Sequence, residues 1–290
     1  MCFHSSEFAM ALAWKNTQEF YYWAIENGDP RTDPWPLVYS PVPVILIFIL
    51  YLIIVAVGPR IMQQRKPLRL KGFLAIYNLS VVLLSVYMFY EFLMTSLLAN
   101  YSYLCQPVDY SWSDLGMRMA GVCWWFFFSK VIELLDKVFF ILRKKNDQVT
   151  FLHVYHHGTM LFNWWAGVKY VPGGQAFFIG MVNSFVHIFV YLYYGLASLG
   201  PKVQSYLWWK RYLTLLQLVN CLPFFCGTDC KAILSFYMLL GLWLMKVKSH
   251  SKYKAQSQMF CCGWLVRNSV TSFVVPSDMK WSLISLYQCR

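Results

Sequence analysis

The sequence predicts an all-α membrane protein with about seven transmembrane helices. Hydrophobic residues make up 58% of its 290 residues and charged residues only 13%, whereas soluble domains are about a quarter charged. Apolar runs long enough to cross a bilayer recur along nearly the whole chain, and the loops between them alternate between basic and acidic. This composition excludes disordered, collagenous and disulfide-scaffold proteins.

The predicted transmembrane segments follow the apolar runs, at residues 37–57, 73–98, 119–142, 151–171, 175–199, 206–226 and 232–245. The seventh is short, because its 14 residues rise only about 21 Å against a hydrocarbon core of about 30 Å. These segments divide the chain into an N-terminal segment (1–36), an integral membrane domain (37–245) and a tail (246–290). We assign the tail no structure.

The loop charges predict the orientation of the helices. Positive charge marks cytoplasmic loops, and the basic residues concentrate in three alternate loops, at 60–71, 143–145 and 202–211. The N-terminal segment contains five acidic residues and is therefore expected on the lumenal side, with the tail in the cytoplasm. Since basic loops beside anionic headgroups account for much of the net charge of +12, we expect no nucleic-acid partner.

Four charged residues interrupt the third apolar segment: Lys130, Glu133, Asp136 and Lys137. At about 2.5–3.5 kcal/mol each, they would cost roughly 12 kcal/mol in lipid. They fall within an arc of about 120° on a helix, so all four can face one polar interior. Such a group is either a salt-bridge network that holds helices together or part of a functional site.

Polar residues also follow single faces of the next three segments. His153, His156 and His157 are spaced i, i+3 and i+4. Asn183, His187, Tyr191 and Tyr194 form a second stripe, and Thr214 and Gln217 belong to a third. Single intramembrane histidines and tyrosine stripes are usually packing residues. Four histidines from two segments, opposite a helix with four charges, instead indicate function.

Two chemistries suit these histidines. A di-iron centre needs more ligands than four histidines supply, although a carboxylate such as Glu133 could add one. We therefore favour no metal. The alternative is nucleophilic and acid–base catalysis, because a desolvated imidazole stays neutral and a second histidine or a carboxylate can orient it.

Four segments around these residues resemble the signature boxes of the ELO family of very-long-chain fatty acid elongases, which are 3-ketoacyl-CoA synthases. They are KVIELLDKVFFILRKKN, FLHVYHHGTM, NSFVHIFVYLYYGL and YLTLLQLVN, and the likeness runs from about Asp33 to Asn220. The sequence around HVYHH and YLWWKRYLT is most similar to vertebrate members of the family that act on long and very long acyl chains.

The resemblance implies a seven-helix endoplasmic reticulum enzyme that condenses a long-chain acyl-CoA with malonyl-CoA, giving a 3-ketoacyl-CoA, CO2 and CoA, the first step of fatty acid elongation. No cofactor is implied beyond these substrates. The family also suggests homo- or hetero-oligomers with other elongases and association with the other enzymes of the elongation cycle.

The family boxes assign roles to the polar residues. His153, His156 and His157 match the HxxHH box, and His187 matches the histidine of the next box. The remaining matches are Lys130, Glu133, Asp136, Asn183, Tyr191 and Tyr194. Because no cysteine lies in the boxes, we predict that His156 takes the acyl group. His187 and His153 would position or polarise the thioester, and Lys130 or Asn183 would stabilise an enolate.

Further residues are assigned to substrate binding or to a disulfide. Tyr191, Tyr194, Thr214 and Gln217 are expected to contact the substrate. Basic residues at the cytoplasmic mouth would hold the CoA phosphates, among them Lys144, Lys145, Lys210 and Arg211, although positive-inside topology explains any single one of them. Cys105 and Cys230 both fall on the predicted lumenal side, where a disulfide can form.

The sequence departs from the family pattern in three places. Lys137 stands where the first box has threonine, Asn220 stands where the TxxQxxQ box has its second glutamine, and the likeness decays from Cys221 onward. The divergent final third favours an alternative function, a catalytically inactive elongase-like protein that binds lipid or dimerises with an active relative. A metal-dependent lipid desaturase is a third possibility, based only on the HxxHH spacing.

Overall fold

A computed structural model of the chain describes residues 12, 14–19, 21–23, 25–103, 106–149, 151–200, 203, 206–209, 212, 213 and 216. Over these residues the regular structure is entirely helical, which confirms the all-α prediction. The helices with both bounds described are α1 (Val42–Gln63), α2 (Lys71–Leu98), α3 (Asp114–Glu133), α4 (Leu135–Leu142), α5 (Phe151–Tyr170) and α6 (Ala176–Ser198), with a short 3-10 turn at Asn146–Gln148. Residues 14–19, 21–23 and 25–26 are also helical.

Three of the described helices are long and apolar enough to cross a membrane: α1, α2 and α6. The third and fourth predicted spans correspond to α3–α4 and α5, which are interrupted by charges and histidines. The predicted seventh span and most of the sixth lie outside the described residues.

The bounds of two predicted spans are wrong, and the first span also ends later than predicted, at Gln63 instead of residue 57. The first span begins at Val42 instead of residue 37, because Pro41 precedes the helix and a second proline lies in its first turn, positions that suit proline. The third span begins early, at Asp114, where the Ser113 side chain accepts a hydrogen bond from the Gly116 backbone N–H. It is also divided at Leu134, whose N–H bonds to the carbonyl of Val131.

The core lies where α2 and α6 pack along each other and α3 contacts α2 and α5. Phe92, Phe126, Phe127 and Phe177 are fully buried there. Gly180 permits the close approach of α6 to α2, since a Cβ atom at this position would lie 2.7 Å from the Phe92 ring. The aromatic layer leaves little room for a side chain at residue 180.

A buried ion pair anchors the segment that precedes α1. The Arg31 guanidinium binds both carboxylate oxygens of Asp29 and donates to the Ser111 carbonyl at 2.8 Å. Arg31 is only 1% exposed and lies over the ring of Tyr110. Burial, followed by the charge of Asp29, raises the pKa of Tyr110, whereas the charge of Arg31 lowers it.

A second set of contacts joins the same segment to the end of α5. Lys169 pairs with Asp33, the Asp29 N–H donates to the Lys169 carbonyl, and the Thr32 hydroxyl donates to the Val168 carbonyl at 3.0 Å. These bonds satisfy carbonyls that a helix end leaves without partners. Residues 29–33 are therefore joined to the helix bundle, although the sequence indicated only the acidic charge of this segment.

Replacing Arg31 by methionine should destabilise the protein strongly. The variant leaves the Asp29 carboxylate buried without its partner, and breaking a buried ion pair in this way costs about 3–5 kcal/mol. The measurement is the midpoint temperature of unfolding of the detergent-solubilised protein. Lys15→Ala, which breaks the exposed pair with Glu19, is the control and should leave the midpoint unchanged. Equal midpoints for Arg31→Met and wild type would contradict a structural role for this pair.

Candidate active site

Polar side chains of α3 and α4 meet those of α6 in three successive contacts, which we term the polar ladder. Its rungs are Lys130 with Asn183, Glu133 with His187, and Asp136 with Tyr191. The Lys130 ammonium donates to Asn183 Oδ1 at 2.9 Å, and Glu133 Oε1 lies 3.2 Å from His187 Nδ1. The Tyr191 hydroxyl donates to Asp136 Oδ2 at 2.7 Å. Each rung joins the two chain segments about one helical turn after the previous one.

The ladder follows from two sequence periods. Its members are spaced i, i+3 and i+6 on one side and i, i+4 and i+8 on the other, so each set lies on one helix face. Residue numbers increase in the same direction along both sides, so α3–α4 and α6 run parallel. Parallel directions are expected for the third and fifth of a series of membrane-crossing segments.

Glu133 is the centre of the site. Its carboxylate accepts a 2.7 Å hydrogen bond from Lys130, and besides His187 it lies 4.0 Å from Nδ1 of His157 on α5. Glu133 and Lys130 are each 3% exposed, and the Lys130 ammonium also lies 4.4 Å from the centre of the Phe126 ring. A buried carboxylate needs such compensation. The same contacts connect helices and bring together histidines from two segments.

His156 lies at the edge of this buried network. Its side chain is exposed, and its ring centre is 5.8 Å from that of His157. The hydroxyl of Thr159 donates to the His156 backbone carbonyl at 2.9 Å. His156 thus combines access for a substrate with a neighbour that approaches Glu133. The side chain of His153 lies outside the described residues, although its backbone belongs to α5.

The two predicted substrate-contacting tyrosines occupy different environments. Tyr191 is buried, with its hydroxyl bound to Asp136, whereas Tyr194 is 44% exposed. Tyr77 of α2 was not identified from the sequence. It packs edge-on against Tyr191 and donates its hydroxyl to the Ile132 carbonyl at 3.2 Å. Tyr191 is therefore placed to orient Asp136, and Tyr194 is accessible to a ligand.

The predicted basic mouth is described only in part. Lys144 donates to the Gln63 carbonyl at the end of α1, at 2.9 Å, and Lys145 is exposed. Lys137 is fully buried and is directed towards the 3-10 turn, 3.5 Å from the Gln148 carbonyl and 4.6 Å from the centre of the Phe140 ring. The other predicted binding and disulfide residues lie outside the described part of the chain: Lys210, Arg211, Thr214, Gln217, Cys105 and Cys230.

The part of the chain that the structure describes contains no candidate metal-binding group. No three histidine, cysteine, aspartate or glutamate residues are arranged there to hold an ion. The absence of a metal stays a prediction.

An ion pair missed by sequence analysis joins α2 to α3. Arg118 Nη2 donates to Glu91 Oε1 at 3.0 Å. Glu91 is a single acid in an otherwise apolar span, and that isolation is itself a signal that a partner exists. Arg118 was overlooked because the predicted third span began at residue 119.

Comparison with known proteins identifies the family of the chain. The model of the family described as "ELO: GNS1/SUR4 family" matches residues 36–275. The chain belongs to the ELO family. ELO proteins are polytopic membrane proteins, which supports the membrane fold. The family match also continues well beyond Asn220, although we expected the likeness to the family to decay from Cys221 onward.

Curated relatives include several elongases. The chain is 54% identical over 212 residues to very long chain fatty acid elongase 4 of Mus musculus, covering 73% of this chain and 68% of the relative. It is 50% identical over 201 residues to elongase 1 of Mus musculus, with coverages of 69% and 72%. Elongase 7 of Rattus norvegicus is 50% identical over 205 residues, with coverages of 70% and 73%.

The bond between Tyr191 and Asp136 should appear as a coupling energy. In a double-mutant cycle of Tyr191→Phe and Asp136→Asn, we expect the two losses of unfolding free energy to be non-additive by about 1–3 kcal/mol, because both substitutions disrupt the same hydrogen bond. Tyr194→Phe combined with Asp136→Asn is the control and should be additive. Chemical denaturation of the detergent-solubilised variants provides the measurement. Additive losses for Tyr191 and Asp136 would contradict the third rung.

Proposed function

We propose that this chain is a very long chain fatty acid elongase that condenses a long-chain acyl-CoA with malonyl-CoA to give a 3-ketoacyl-CoA, CO2 and CoA. Membership of the ELO family and 50–54% identity to curated elongases support this activity. The structural observation that carries the proposal is the buried Glu133 carboxylate, which lies beside Lys130 and beside histidines of α5 and α6.

The first step transfers the acyl group to His156. A nitrogen of the neutral imidazole attacks the thioester carbonyl, the carbon–sulfur bond breaks, and CoA leaves as a thiolate that takes up the proton released by the acylated imidazole. This gives an acyl-imidazole. The exposure of His156 supports this role, because the nucleophile must meet a bulky substrate. His187, with Nδ1 beside Glu133, and His153 position the thioester or polarise its carbonyl.

The second step forms the new carbon–carbon bond. Malonyl-CoA loses CO2, and the electron pair of the broken bond remains as an enolate. Lys130 can stabilise the negative charge of the enolate. Its ammonium has three N–H groups, and two of them donate to Glu133 and Asn183. The enolate carbon then attacks the acyl carbonyl, the carbon–nitrogen bond to His156 breaks, and the departing ring nitrogen takes up a proton, which restores the neutral imidazole. Asn183 is the second candidate for enolate stabilisation.

The substrates enter from the basic side of the protein in this proposal. Lys144, Lys145, Lys210 and Arg211 hold the CoA phosphates at the cytoplasmic face of the endoplasmic reticulum membrane. The N terminus is lumenal and the tail is cytoplasmic. Cys105 and Cys230 form a lumenal disulfide. We also propose that the chain associates with further elongases or with the other enzymes of the elongation cycle.

The alternative is an inactive elongase-like protein that binds lipid or dimerises with an active relative. The specific observation in its favour is Lys137, a fully buried charge where the family box has threonine. The divergent final third supports this alternative less strongly, because the family model matches the chain through residue 275. Enzymatic assay separates the two functions.

Replacing His156 by alanine should abolish the condensation. Microsomes that contain the wild-type chain are expected to incorporate radiolabelled malonyl-CoA into 3-ketoacyl product, and His156→Ala should lower the rate by on the order of 10²-fold or more, because the acyl carrier is lost. With acyl-CoA alone, mass spectrometry should find one acyl group on the peptide that contains His156. His250→Ala, a histidine of the predicted tail, is the matched control.

Each other result has a distinct meaning. Equal activity of wild type and His156→Ala would exclude the histidine mechanism. Inactivity of both would favour the inactive elongase-like protein. Iron retained at a fixed ratio through purification would revive the metal-dependent alternative.

A further inference from the structure

Asn163 is an unusual residue for the middle of a predicted membrane-crossing segment. It lies on α5, its side chain is exposed, and among the described residues its amide makes no hydrogen bond. An amide in an apolar environment without a partner costs free energy. Polar groups at such positions commonly mark the path of a substrate.

Asn163 shares a helix face with His156. The two residues are seven positions apart, which places them within about 20° of each other around the axis and about 10.5 Å apart along it. Thr159 lies between them on the same side. The opposite side of α5 is closed, since Leu161 and Trp165 are buried in the core. The exposed face of α5 therefore carries a line of polar residues that begins at the proposed acyl carrier.

The direction of this line matches the direction expected for an acyl chain. Helix α5 starts shortly after the basic residues 143–145, and its other end is held by Lys169 and Asp33. A CoA group bound at the basic end leaves the acyl chain to extend from His156 towards the far end of α5. That path passes Asn163 two helical turns beyond His156.

We infer that Asn163 lines the acyl path about 10 Å beyond His156 and favours acyl chains with a cis double bond at that depth. The inference rests on the proposed function. A double bond offers its π electrons to an amide N–H as a weak acceptor, whereas a saturated chain leaves the amide without any partner. The distance corresponds to roughly eight carbon–carbon bonds of an extended chain, which places the preferred double bond near carbon 9.

Competition between acyl-CoA substrates tests this inference. Microsomes with the wild-type chain receive equal amounts of two eighteen-carbon acyl-CoA esters, one saturated and one with a cis double bond at carbon 9, and mass spectrometry gives the ratio of the two 3-ketoacyl products. We expect the unsaturated product to exceed the saturated one by about 2- to 5-fold, the size of a weak hydrogen bond. An ester with its cis double bond at carbon 6 should show no such preference.

The variant Asn163→Leu should bring the product ratio close to one, because neither ester then passes an amide without a partner. Ser80→Leu, an exposed serine of α2, is the matched control and should keep the wild-type ratio. A ratio unchanged by Asn163→Leu, or one that is already equal in the wild type, would overturn the inference and leave the condensing activity intact. No product from the wild-type chain would overturn both proposals. The wild-type ratios decide the question even if Asn163→Leu does not accumulate.

Discussion

The burial of the Glu133 carboxylate is the constraint on which the site depends. A carboxylate away from water requires a positive partner and hydrogen-bond donors, and here they come from Lys130, His187 and His157. Because these partners belong to α3, α5 and α6, the charge cannot be buried unless the three helices assemble. The salt-bridge network and the proposed functional site, which the sequence presented as alternatives, are therefore formed by the same residues. The contacts that hold the helices together also orient the imidazoles.

A second group of buried charges fixes the opposite end of the same helices. The ion pair of Lys169 with Asp33 binds the N-terminal segment to the end of α5, and Arg31, paired with Asp29 within that segment, donates to the Ser111 carbonyl just before α3. Between the two polar layers lies an aromatic core that includes Phe126 and fills the space with apolar side chains. Helix α5 is thus held near both ends. A helix fixed in this way keeps its exposed face, and with it His156, in a constant position relative to the ladder.

The sequence was most informative where a regular period places residues on one face. The spacing of Lys130, Glu133 and Asp136, and of Asn183, His187 and Tyr191, predicted two polar faces that meet, because helix geometry is local. It did not predict the partner of each residue, since the axial offset between two helices depends on packing. The contact of Thr32 with Val168 spans 136 positions of the chain, and no local pattern reveals such a pairing. The break at Leu134 was missed for a similar reason, as apolarity continues through it.

Lys137 shows how a departure from the family pattern is tolerated. An extra cation inside the ladder would compete with Lys130 for Glu133 and disturb the charge balance of the site. Leu134 divides the helix just before α4, and the Lys137 side chain lies near the Gln148 carbonyl and the Phe140 ring instead. Both partners interact favourably with an ammonium. The charge is accordingly accommodated outside the three rungs, which keep their own donors and acceptors. Burial of Lys137 therefore alters the surroundings of Asp136 without removing a contact of Glu133.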